Sequence, residues 1–520
     1  MFQWQLNHLD IAVLALCGLL LALLRSSYNK RKLRTQISLP PGPRGLPILG
    51  NTLDMLWCDE QQAVTQWGKQ YGDVVLISLL GGRNVVYLNS PKAINDLLEK
   101  RSRIYSDRPR FPLVAETAGT SWNFGLTPYG ESWRLQRKIF VNKFGVQKAN
   151  EHTKFQEDSM KPLLRLLLQS PEQFLDHIEL HANRVIMKVV YDIYVKFHED
   201  ESVASLRAAM QLFFESTRPI SYLVESLPIV KNLKFLWPGS LGRRSVAEMR
   251  RVTEQMVNSP FAAAKTRIDQ GDYEPSYVSD LLGKLSTGST LNEEVIRNTA
   301  AVAFQAGSDT TAASSTAFVL AMTIYPEVQR KAQAEIDRVI GTDRLPTIQD
   351  KGDLPYIFAV YMETLRWHTV LPQGVPHCLQ EDDVYGNYFL PSGSIIVPNI
   401  WKVLMGILHD SNAYTDPMTF KPERYLSPDG TIDFSVDPRK YAFGFGRSRI
   451  CAGMHFGENS VWIFIARVLA TMSISHKIDE LGREIEVRLE PTPGLISRPF
   501  PFQCAITPRS NQAKDLIVKD

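Results

Sequence analysis

The sequence has few cysteines, little net charge and no repeated or low-complexity segment. Its 520 residues include five cysteines, and no two of them form a Cys-x-x-Cys pair. An odd number of widely separated cysteines argues against a disulfide framework and against a zinc ribbon. The net charge is only +3, and no basic run is interleaved with aromatic residues. We therefore expect a globular protein that does not bind nucleic acid.

The composition is that of a chain with a large core, because 44% of its residues are hydrophobic and 22% are charged. Helical periodicity dominates from about residue 91 to residue 370, and short strand-like segments precede and follow that region. No linker composition interrupts the chain after residue 51. We predict a mainly α protein with a smaller β region, in which residues 52–520 form one domain.

The N-terminal segment differs from the rest in hydropathy. Residues 11–24, IAVLALCGLLLALL, form an unbroken apolar run that basic residues follow directly. The segment before the run has no Lys or Arg, so the positive-inside bias places the basic flank in the cytosol. We predict a single-pass transmembrane anchor over residues 1–24, with an interfacial or cleaved segment as the alternative.

A basic and proline-rich segment follows the anchor. Residues 39–51 read LPPGPRGLPILGN, and proline lacks the N–H donor that a helix or a central strand needs. We predict that residues 25–51 form a stiff linker. Farther along, residues 206–240 are apolar and rich in turn signals. They are predicted either as a helix pair packed on the core or as a lid that admits apolar substrate.

One helix of more than 30 residues is predicted from Thr290 until Pro326 ends it. Thr290 and Glu293 have the spacing of a capping box. A helix of this length must cross the whole domain.

The middle of this helix contains the polar segment AGSDTT, residues 306–311. The residues on both sides are apolar all round, which indicates burial rather than a polar stripe facing solvent. Gly307 has no side chain, so something large can approach the backbone there. A buried Asp309 beside the hydroxyl of Thr310 is the arrangement that proton delivery requires.

Two further pairs of residues are candidates for fixed polar contacts. Glu363 and Arg366 lie on one helix face, and Arg424 follows in FKPERY, so we predict a buried network of one Glu and two Arg. Trp133 and Arg137 form the only Trp-x-x-x-Arg in the chain. They are predicted either to donate hydrogen bonds to a carboxylate or to lie on an amphipathic surface helix.

Cys451 lies in the glycine- and arginine-rich segment FGFGRSRICAG, residues 443–453. A cysteine beside Ile is often buried and inert. Nearby cations and glycine N–H groups, in contrast, would keep a thiolate deprotonated and able to bind a metal. No His or Cys stands at zinc spacing, so the other ligands of that metal would not come from protein, which describes haem iron.

With these residues in this order, the chain resembles the cytochrome P-450 superfamily, the haem-thiolate monooxygenases. The family's motifs match Trp133 and Arg137, residues 306–311, Glu363 and Arg366, Pro422–Arg424, and the loop 443–453. The segments CAGMHFGENSVWIFIARVLATMSI and PTPGLISRPFPFQCAITPRS resemble the branch that serves fungal secondary metabolism.

The Cys loop departs from the family pattern F-x-x-G-x-R-x-C-x-G. Arg449, Cys451 and Gly453 fit, but Gly446 stands five residues before the Cys rather than four, as if Ser448 had been inserted. The altered spacing leaves two alternatives open, namely that the N–H groups that tune the sulfur are placed as in the family or that the turn bulges and displaces them.

The resemblance implies a haem-thiolate monooxygenase domain over residues 52–520, with haem b held by an axial Cys451 thiolate. The candidate partners of the haem propionates are Trp133, Arg137, His377 and Arg449. Asp309 and Thr310 would relay protons, while dioxygen and an NADPH-dependent flavin reductase would supply oxygen and electrons. The anchor would place the protein in the endoplasmic reticulum membrane, with its catalytic domain facing the cytosol.

The expected pocket walls are apolar, which predicts a lipophilic substrate. They are residues 111–124, 303–304, 370–375 and 495–496. The resemblance favours hydroxylation of a terpenoid, with an aromatic or indole metabolite as the second choice. A haem-thiolate isomerase or dehydratase that needs no reductase, and a haem-binding scaffold without activity, are the alternatives. Arg439, Lys440, Arg447 and Lys138 are either a docking surface for the reductase or ordinary solvated charges.

Overall fold

The computed structural model describes residues 37–58, 60–111, 115, 118–196, 200–216, 245–285, 291–407, 416–435, 437–446 and 448–518. The predicted anchor, residues 1–24, lies outside these ranges, as do residues 25–36 of the predicted linker and residues 217–240 of the possible lid. Within the described ranges, no helix is both long and apolar enough to cross a membrane.

Most of the described chain is helical, as predicted. The helices are α1 (Thr52–Trp57), α2 (Glu60–Tyr71), α3 (Pro91–Ile94), α4 (Ser102–Tyr105), α5 (Glu131–Phe144), α6 (Val146–Ala149), α7 (Thr153–Asp158), α8 (Met160–Gln169), α9 (Phe174–Tyr191), α10 (Glu201–Ser216), α11 (Val246–Asp269), α12 (Tyr277–Leu282), α13 (Glu293–Ile324), α14 (Pro326–Val339), α15 (Pro355–Trp367), α16 (Ile400–Ile407), α17 (Arg439–Ala442), α18 (Met454–Thr471) and α19 (Asn511–Val518).

The described strands form three small sheets, and they are β1 (Val74–Leu79), β2 (Arg83–Leu88), β3 (His377–Cys378), β4 (Asp383–Tyr385), β5 (Tyr388–Leu390), β6 (Ile395–Pro398), β7 (Met472–His476) and β8 (Cys504–Pro508). The largest sheet has the order β1-β2-β6-β3, with β2 parallel to β6 and the other pairs antiparallel. Gly81 and Gly82, with φ of 79° and 74°, provide the left-handed backbone at the β1–β2 turn.

Helix α13 is 32 residues long and packs most extensively against α9. Its N-cap is Asn292, whose side chain accepts a hydrogen bond from the backbone N–H of Val295 at 2.9 Å. The prediction of Thr290 as the N-cap is therefore wrong, because Asn292 satisfies a free N–H of the first turn. The helix ends before Pro326, which occupies the first turn of α14.

Packing of apolar faces holds the helices in place. One core cluster joins α13, α15 and α18 through side chains such as Phe318, Tyr361 and Trp462, all fully buried. A second cluster joins α5, α9 and α11 to the N-terminal half of α13, around Phe144 and Phe304. Full burial of one large apolar side chain stabilises a fold by about 1.5–3 kcal/mol. The middle of α13, between these clusters, is thereby held firmly beside the site described next.

Candidate functional site

A cavity lies between the middle of α13, the loop 443–453 and the segment that follows α15. The loop and several polar side chains form part of its lining, and most of the remaining lining is apolar. The side chains of the apolar walls include Phe124, Met210, Phe213, Val302, Ala303, Val370, Leu371, Val375, Leu495 and Ile496.

Most of the predicted wall segments contribute residues to this cavity, but Phe304 does not. Its side chain is fully buried on another face of α13, where its ring meets that of Tyr191 at 6.2 Å. Residues 112–114, 116 and 117 of the first predicted wall lie outside the described residues. Met210 and Phe213 of α10 are wall residues that the sequence did not identify, since their periodicity is also that of a core helix.

Cys451 lies in the lining of the cavity. Its side chain is exposed to the cavity although the residue lies deep within the protein, and its backbone N–H donates to the carbonyl of Phe443 at 2.8 Å. Burial raises the pKa of the thiol above its ordinary value and outweighs the backbone N–H of Gly453 and the guanidinium of Arg137, which both favour the thiolate. A bound metal cation would supply the positive charge that a thiolate needs at this buried position.

The additional residue of the Cys loop is taken up in a turn between Gly446 and Ile450. The carbonyl of Gly446 accepts hydrogen bonds from the N–H groups of Arg449 and Ile450, at 3.0 and 3.1 Å. Gly444 and Gly446 have φ of 82° and 78°, a conformation that other residues rarely adopt. The loop that contains Ser448 thus has both this turn and the Cys451–Phe443 hydrogen bond.

Two phenylalanines flank Gly444, and both line the cavity. Phe443 packs against the core cluster of α13, α15 and α18. Phe445 is only 2% exposed and packs against the largest sheet, where its ring meets that of Tyr441 at 6.0 Å. The two rings thus fix the loop to the helical part and to the sheet part of the domain.

Four basic side chains surround the cavity: Arg108, Arg137, His377 and Arg449 all line it. None of the four forms an ion pair with a carboxylate among the described residues. Arg108 donates to the carbonyls of Gly125, Val375 and Pro376, at 2.7–3.0 Å. Arg137 donates to the carbonyl of Ile450, and Nδ1 of His377 lies 2.7 Å from the carbonyl of Tyr105.

The pKa of each of these four groups is lowered, mainly because burial disfavours its charged form. Burial lowers the pKa of Arg108 well below its usual value, and the neighbouring Arg449 lowers it further. Burial lowers the pKa of Arg449 to about 10 and also lowers the pKa of Arg137. Burial and the two nearby arginines lower the pKa of His377 far below its usual range. An anion bound among these residues would relieve this cost.

Arg449 has an unused donor in this cluster. Its Nε donates to Ser106 O at 2.7 Å and its Nη2 to Thr127 O at 2.9 Å, but the buried Nη1 has no hydrogen-bond partner. The guanidinium lies 4.6 Å from the ring centroid of Trp133, which is buried and does not line the cavity. Trp133 thus supports Arg449, and the free donor fits a carboxylate group of a ligand.

Arg108 is the member of this cluster that the sequence did not reveal. Arg101, Arg103 and Arg110 lie in the same segment, so the arginine content alone cannot single out one of them. Arg108 is 7% exposed, whereas Arg110 is exposed, and only tertiary contacts make this distinction.

The polar residues of α13 lie on different sides of the helix. Thr310 lines the cavity, and its hydroxyl donates to the carbonyl of Ala306 at 2.8 Å. Gly307 also lines the cavity, but a Cβ there would lie 2.9 Å from the side chain of Ile186, so the glycine is needed for close packing of α9. Asp309 is 6% exposed and is absent from the lining; its carboxylate contacts Arg498.

Glu363, Arg366 and Arg424 form one buried network. Arg366 donates to both carboxylate oxygens of Glu363, at 2.6 and 2.7 Å, and Arg424 Nε lies 3.3 Å from the same carboxylate. The backbone N–H of Lys421 and the hydroxyl of Tyr425 also donate to Glu363, at 2.7 and 3.3 Å. Helix α15 is thereby joined to the segment 421–425.

Four basic residues were predicted either as a docking surface for the reductase or as solvated charges. One of them, Arg439, forms ion pairs with carboxylates of this chain. It forms ion pairs with Asp437 at 2.8 Å and Glu458 at 2.9 Å. Lys138 and Lys440 are exposed, and Arg447 lies outside the described residues. Arg439 therefore stabilises the fold near the Cys loop, where its charge is already balanced.

Comparison with known proteins gives one family profile and several similar fungal proteins, and all of them carry the same family name. Residues 40–498 match the sequence profile of the cytochrome P-450 family. The chain is 38% identical to a cytochrome P-450 monooxygenase of Armillaria gallica, over 99% of this chain and 100% of that protein. It is 39% identical to cytochrome P-450 monooxygenase 208 of Postia placenta, over 96% of each chain. It is also 38% identical to cytochrome P-450 monooxygenase claR of Ampulloclitocybe clavipes, over 98% of this chain and 93% of that protein.

Proposed function

This chain belongs to the cytochrome P-450 family of haem-thiolate monooxygenases, and we propose that it hydroxylates a lipophilic small molecule, with electrons from an NADPH-dependent flavin reductase. Bound haem iron supplies the centre at which dioxygen is activated. The observation that carries the proposal is that Cys451 is exposed to a cavity lined by three buried basic side chains, Arg108, His377 and Arg449, and by the half-buried Arg137. Cys451 is the axial thiolate in this proposal.

The basic cluster is suited to hold the two propionate groups of haem b. Arg108, Arg137, His377 and Arg449 provide several donors in a site from which water is largely excluded, where charge-assisted hydrogen bonds are strong. The free Nη1 of Arg449 supports this assignment. Trp133 positions Arg449 by packing against its guanidinium.

Proton delivery is assigned to Thr310 and Asp309. Thr310 lines the cavity and offers a hydroxyl that both donates and accepts hydrogen bonds. Asp309, the next residue toward the N-terminus, has a buried carboxylate that can pass a proton to this region of the helix. Substitution of Thr310 by Ala is expected to lower product formation and to raise the release of hydrogen peroxide.

The substrate is proposed to be a terpenoid or another lipophilic fungal metabolite. The wall residues are apolar, and Asn123 and Gln305, two polar residues of the lining, bond to each other at 2.8 Å. A substrate with few polar groups therefore does not compete for this pair of side chains. An aromatic or indole metabolite would fit the same apolar walls and is the second candidate.

Two measurements test the reaction class. A carbon-monoxide difference spectrum of the reduced protein should show the band of a thiolate-ligated haem, and Cys451→Ser should abolish that band. Product analysis with sesquiterpene hydrocarbons, with and without a reductase, then separates the oxygenase from an isomerase or dehydratase. Product formation that does not require the reductase would contradict the monooxygenase proposal, and haem binding without any product would favour the scaffold.

The N-terminal assignments remain proposals from the sequence. Residues 1–24 would be the anchor, residues 25–51 the linker and residues 52–520 the monooxygenase domain, with the protein in the endoplasmic reticulum membrane and the domain in the cytosol. Microsomal fractionation of the full chain and of a chain lacking residues 1–36 tests this. Equal amounts of both chains in the membrane pellet after a carbonate wash would contradict the anchor.

A further inference from the structure

Two carboxamide side chains meet in the lining of the cavity. Asn123 Nδ2 donates to Gln305 Oε1 at 2.8 Å, and both residues line the cavity. Asn123 is 8% exposed and Gln305 is 5% exposed. Asn123 lies in the loop before α5, whereas Gln305 lies on α13, directly before the polar segment 306–311. The pair therefore joins this loop to the helix that carries Thr310.

A backbone N–H fixes the orientation of both carboxamides. The N–H of Gly125 donates to Asn123 Oδ1 at 2.8 Å. A backbone N–H can only donate, so the oxygen of Asn123 must face it and the amino group of Asn123 must face Gln305. Gln305 must then offer its oxygen to Asn123. The amino group of Gln305, Nε2, is consequently the end of the pair that remains for other contacts.

Nε2 of Gln305 is a donor without an acceptor. Within the part of the chain that the structure describes, no side chain or carbonyl accepts a hydrogen bond from it. The loop that holds its partner is fixed, since the N–H of Asn123 donates to Thr120 O and its carbonyl accepts from the N–H of Leu126, each at 3.0 Å. The donor is thus held in place before a ligand binds, so binding costs little conformational freedom.

This donor determines which ligand atoms fit beside it. An apolar molecule that excludes water from this part of the cavity would leave Nε2 of Gln305 unpaired, which weakens its binding. One acceptor oxygen at this position satisfies the donor without breaking the Asn123–Gln305 pair. The oxygen is expected to be neutral, because a single neutral N–H does not offset the desolvation of a carboxylate. Carbonyl, ether and hydroxyl oxygens all meet this requirement.

We propose that Gln305 is a specificity-determining residue whose Nε2 donates a hydrogen bond to a carbonyl, ether or hydroxyl oxygen that the substrate already carries. This inference rests on the proposed function and narrows its substrate class from lipophilic molecules in general to oxygenated ones. A reaction that introduces oxygen into the hydrocarbon skeleton must therefore precede the step that this chain performs. The apolar walls bind the skeleton, and Gln305 fixes its orientation.

Binding of two series of compounds to the ferric holoenzyme tests the hydrogen bond. One series is p-menthane, menthol and menthone, and the other is valencene, nootkatol and nootkatone. Within each series the carbon skeleton is constant and the oxygen group differs. Dissociation constants are measured from the shift of the haem Soret band and, independently, from the thermal unfolding midpoint as a function of compound concentration.

Gln305→Leu should lower the affinity for each ketone, relative to that for the hydrocarbon of the same series, about tenfold. This factor corresponds to the loss of one hydrogen bond in a buried site. Met210→Leu, an apolar change in another wall, is the matched control and should leave the ratio of the two affinities unchanged. A general loss of structure would weaken the binding of every compound, whereas the inference requires a change in the ratio.

Asn123→Asp at pH 8 should turn the carboxamide of Gln305 around. An ionised Asp at this position accepts from Gly125 and also requires a donor from Gln305, so Oε1 of Gln305 would then face the cavity. The ketones should lose their advantage, whereas the alcohols, which also donate, should keep theirs. Isotope-edited infrared spectra give a direct signature, since the C=O stretch of bound menthone should lie at a lower frequency in the wild-type protein than in Gln305→Leu.

The outcomes separate this inference from the proposed function. If the wild-type protein lacks the thiolate band with carbon monoxide, or binds none of the six compounds, the proposed function fails and the inference fails with it. If the band is present and the compounds bind, but Gln305→Leu leaves the affinity ratio or the C=O frequency unchanged, only the role of Gln305 is overturned. A ketone advantage that survives Asn123→Asp would likewise overturn the assigned orientation of the pair.

Discussion

Glu363 accepts two hydrogen bonds from Arg366, at 2.6 and 2.7 Å, and both side chains are completely excluded from solvent. A buried ion pair is stable only when its remaining polar atoms are satisfied. Lys421, Arg424 and Tyr425 also donate to Glu363. The network therefore depends on this one carboxylate more than on any single donor.

Glu363→Gln should prevent stable folding or lower the free energy of unfolding by about 3–5 kcal/mol, since one charge of a buried pair is removed. Thermal unfolding and the yield of soluble protein measure the effect. Glu327→Gln, which changes an exposed Glu-x-x-Arg pair in α14, is the matched control and should have little effect. A yield and unfolding midpoint equal to those of the control would show that the network is dispensable.

Arg108→Met should lower the haem content of the purified protein. Loss of one charge-assisted hydrogen bond to a propionate weakens binding roughly tenfold. The haem-to-protein ratio after dialysis against a haem-binding competitor measures this loss. Arg110→Met is the control at an exposed position of the same loop. Equal haem retention in the two variants would remove Arg108 from the proposed binding site.

Deletion of Ser448 should disturb the Cys loop, although it brings the loop to the common family length. The carbonyl of Gly446 accepts from both Arg449 and Ile450. A chain one residue shorter cannot keep these hydrogen bonds and the one between Cys451 and Phe443. We expect a weaker thiolate band with carbon monoxide, whereas Ser448→Ala should leave the band unchanged. An undiminished band after the deletion would show that the turn adjusts without cost.

Stability should fall on acidification because the fold buries histidines in neutral form, and His181 and His368 are two of them. Burial lowers the pKa of His181 and of His368 to about 4, from an ordinary value of 6.5. The unfolded chain then binds more protons than the folded protein between pH 6.5 and pH 4. Stability is therefore lost as the pH falls through this window, by up to roughly 3 kcal/mol for each histidine.

The variant His368→Gln isolates the contribution of His368 to the loss of stability at low pH. His368 Nε2 lies 3.0 Å from the carbonyl of Ser497, a hydrogen bond that a glutamine can replace. In His368→Gln the unfolding midpoint, followed by circular dichroism from pH 7 to pH 4, should decline less steeply than in the wild-type protein. Parallel declines would mean that His368 does not contribute to the acid sensitivity.

Local patterns in the sequence are sufficient to predict the long helix, the first hairpin and the residues that carry the family motifs. The long helix follows from an uninterrupted helical pattern that ends at Pro326, and the first hairpin follows from two β-branched runs around Gly81 and Gly82. Such features depend on neighbours within a few residues, so their physical cause is present in the sequence. The N-cap is the exception, because Thr290 and Asn292 both suit that position and the spacing of the motif favoured the wrong one.

Contacts between side chains that are distant in the sequence could be identified only from the folded structure. Arg108 and Arg110 are alike in sequence, but contacts with residues 125, 375 and 376 bury the first. The sequence marks Asp309 as a buried acid, but the partner Arg498 is 189 positions farther along the chain. Packing of α9 against α13 and the course of the C-terminal segment bring the two charges together. Because such contacts depend on the whole fold, no local pattern could have indicated them.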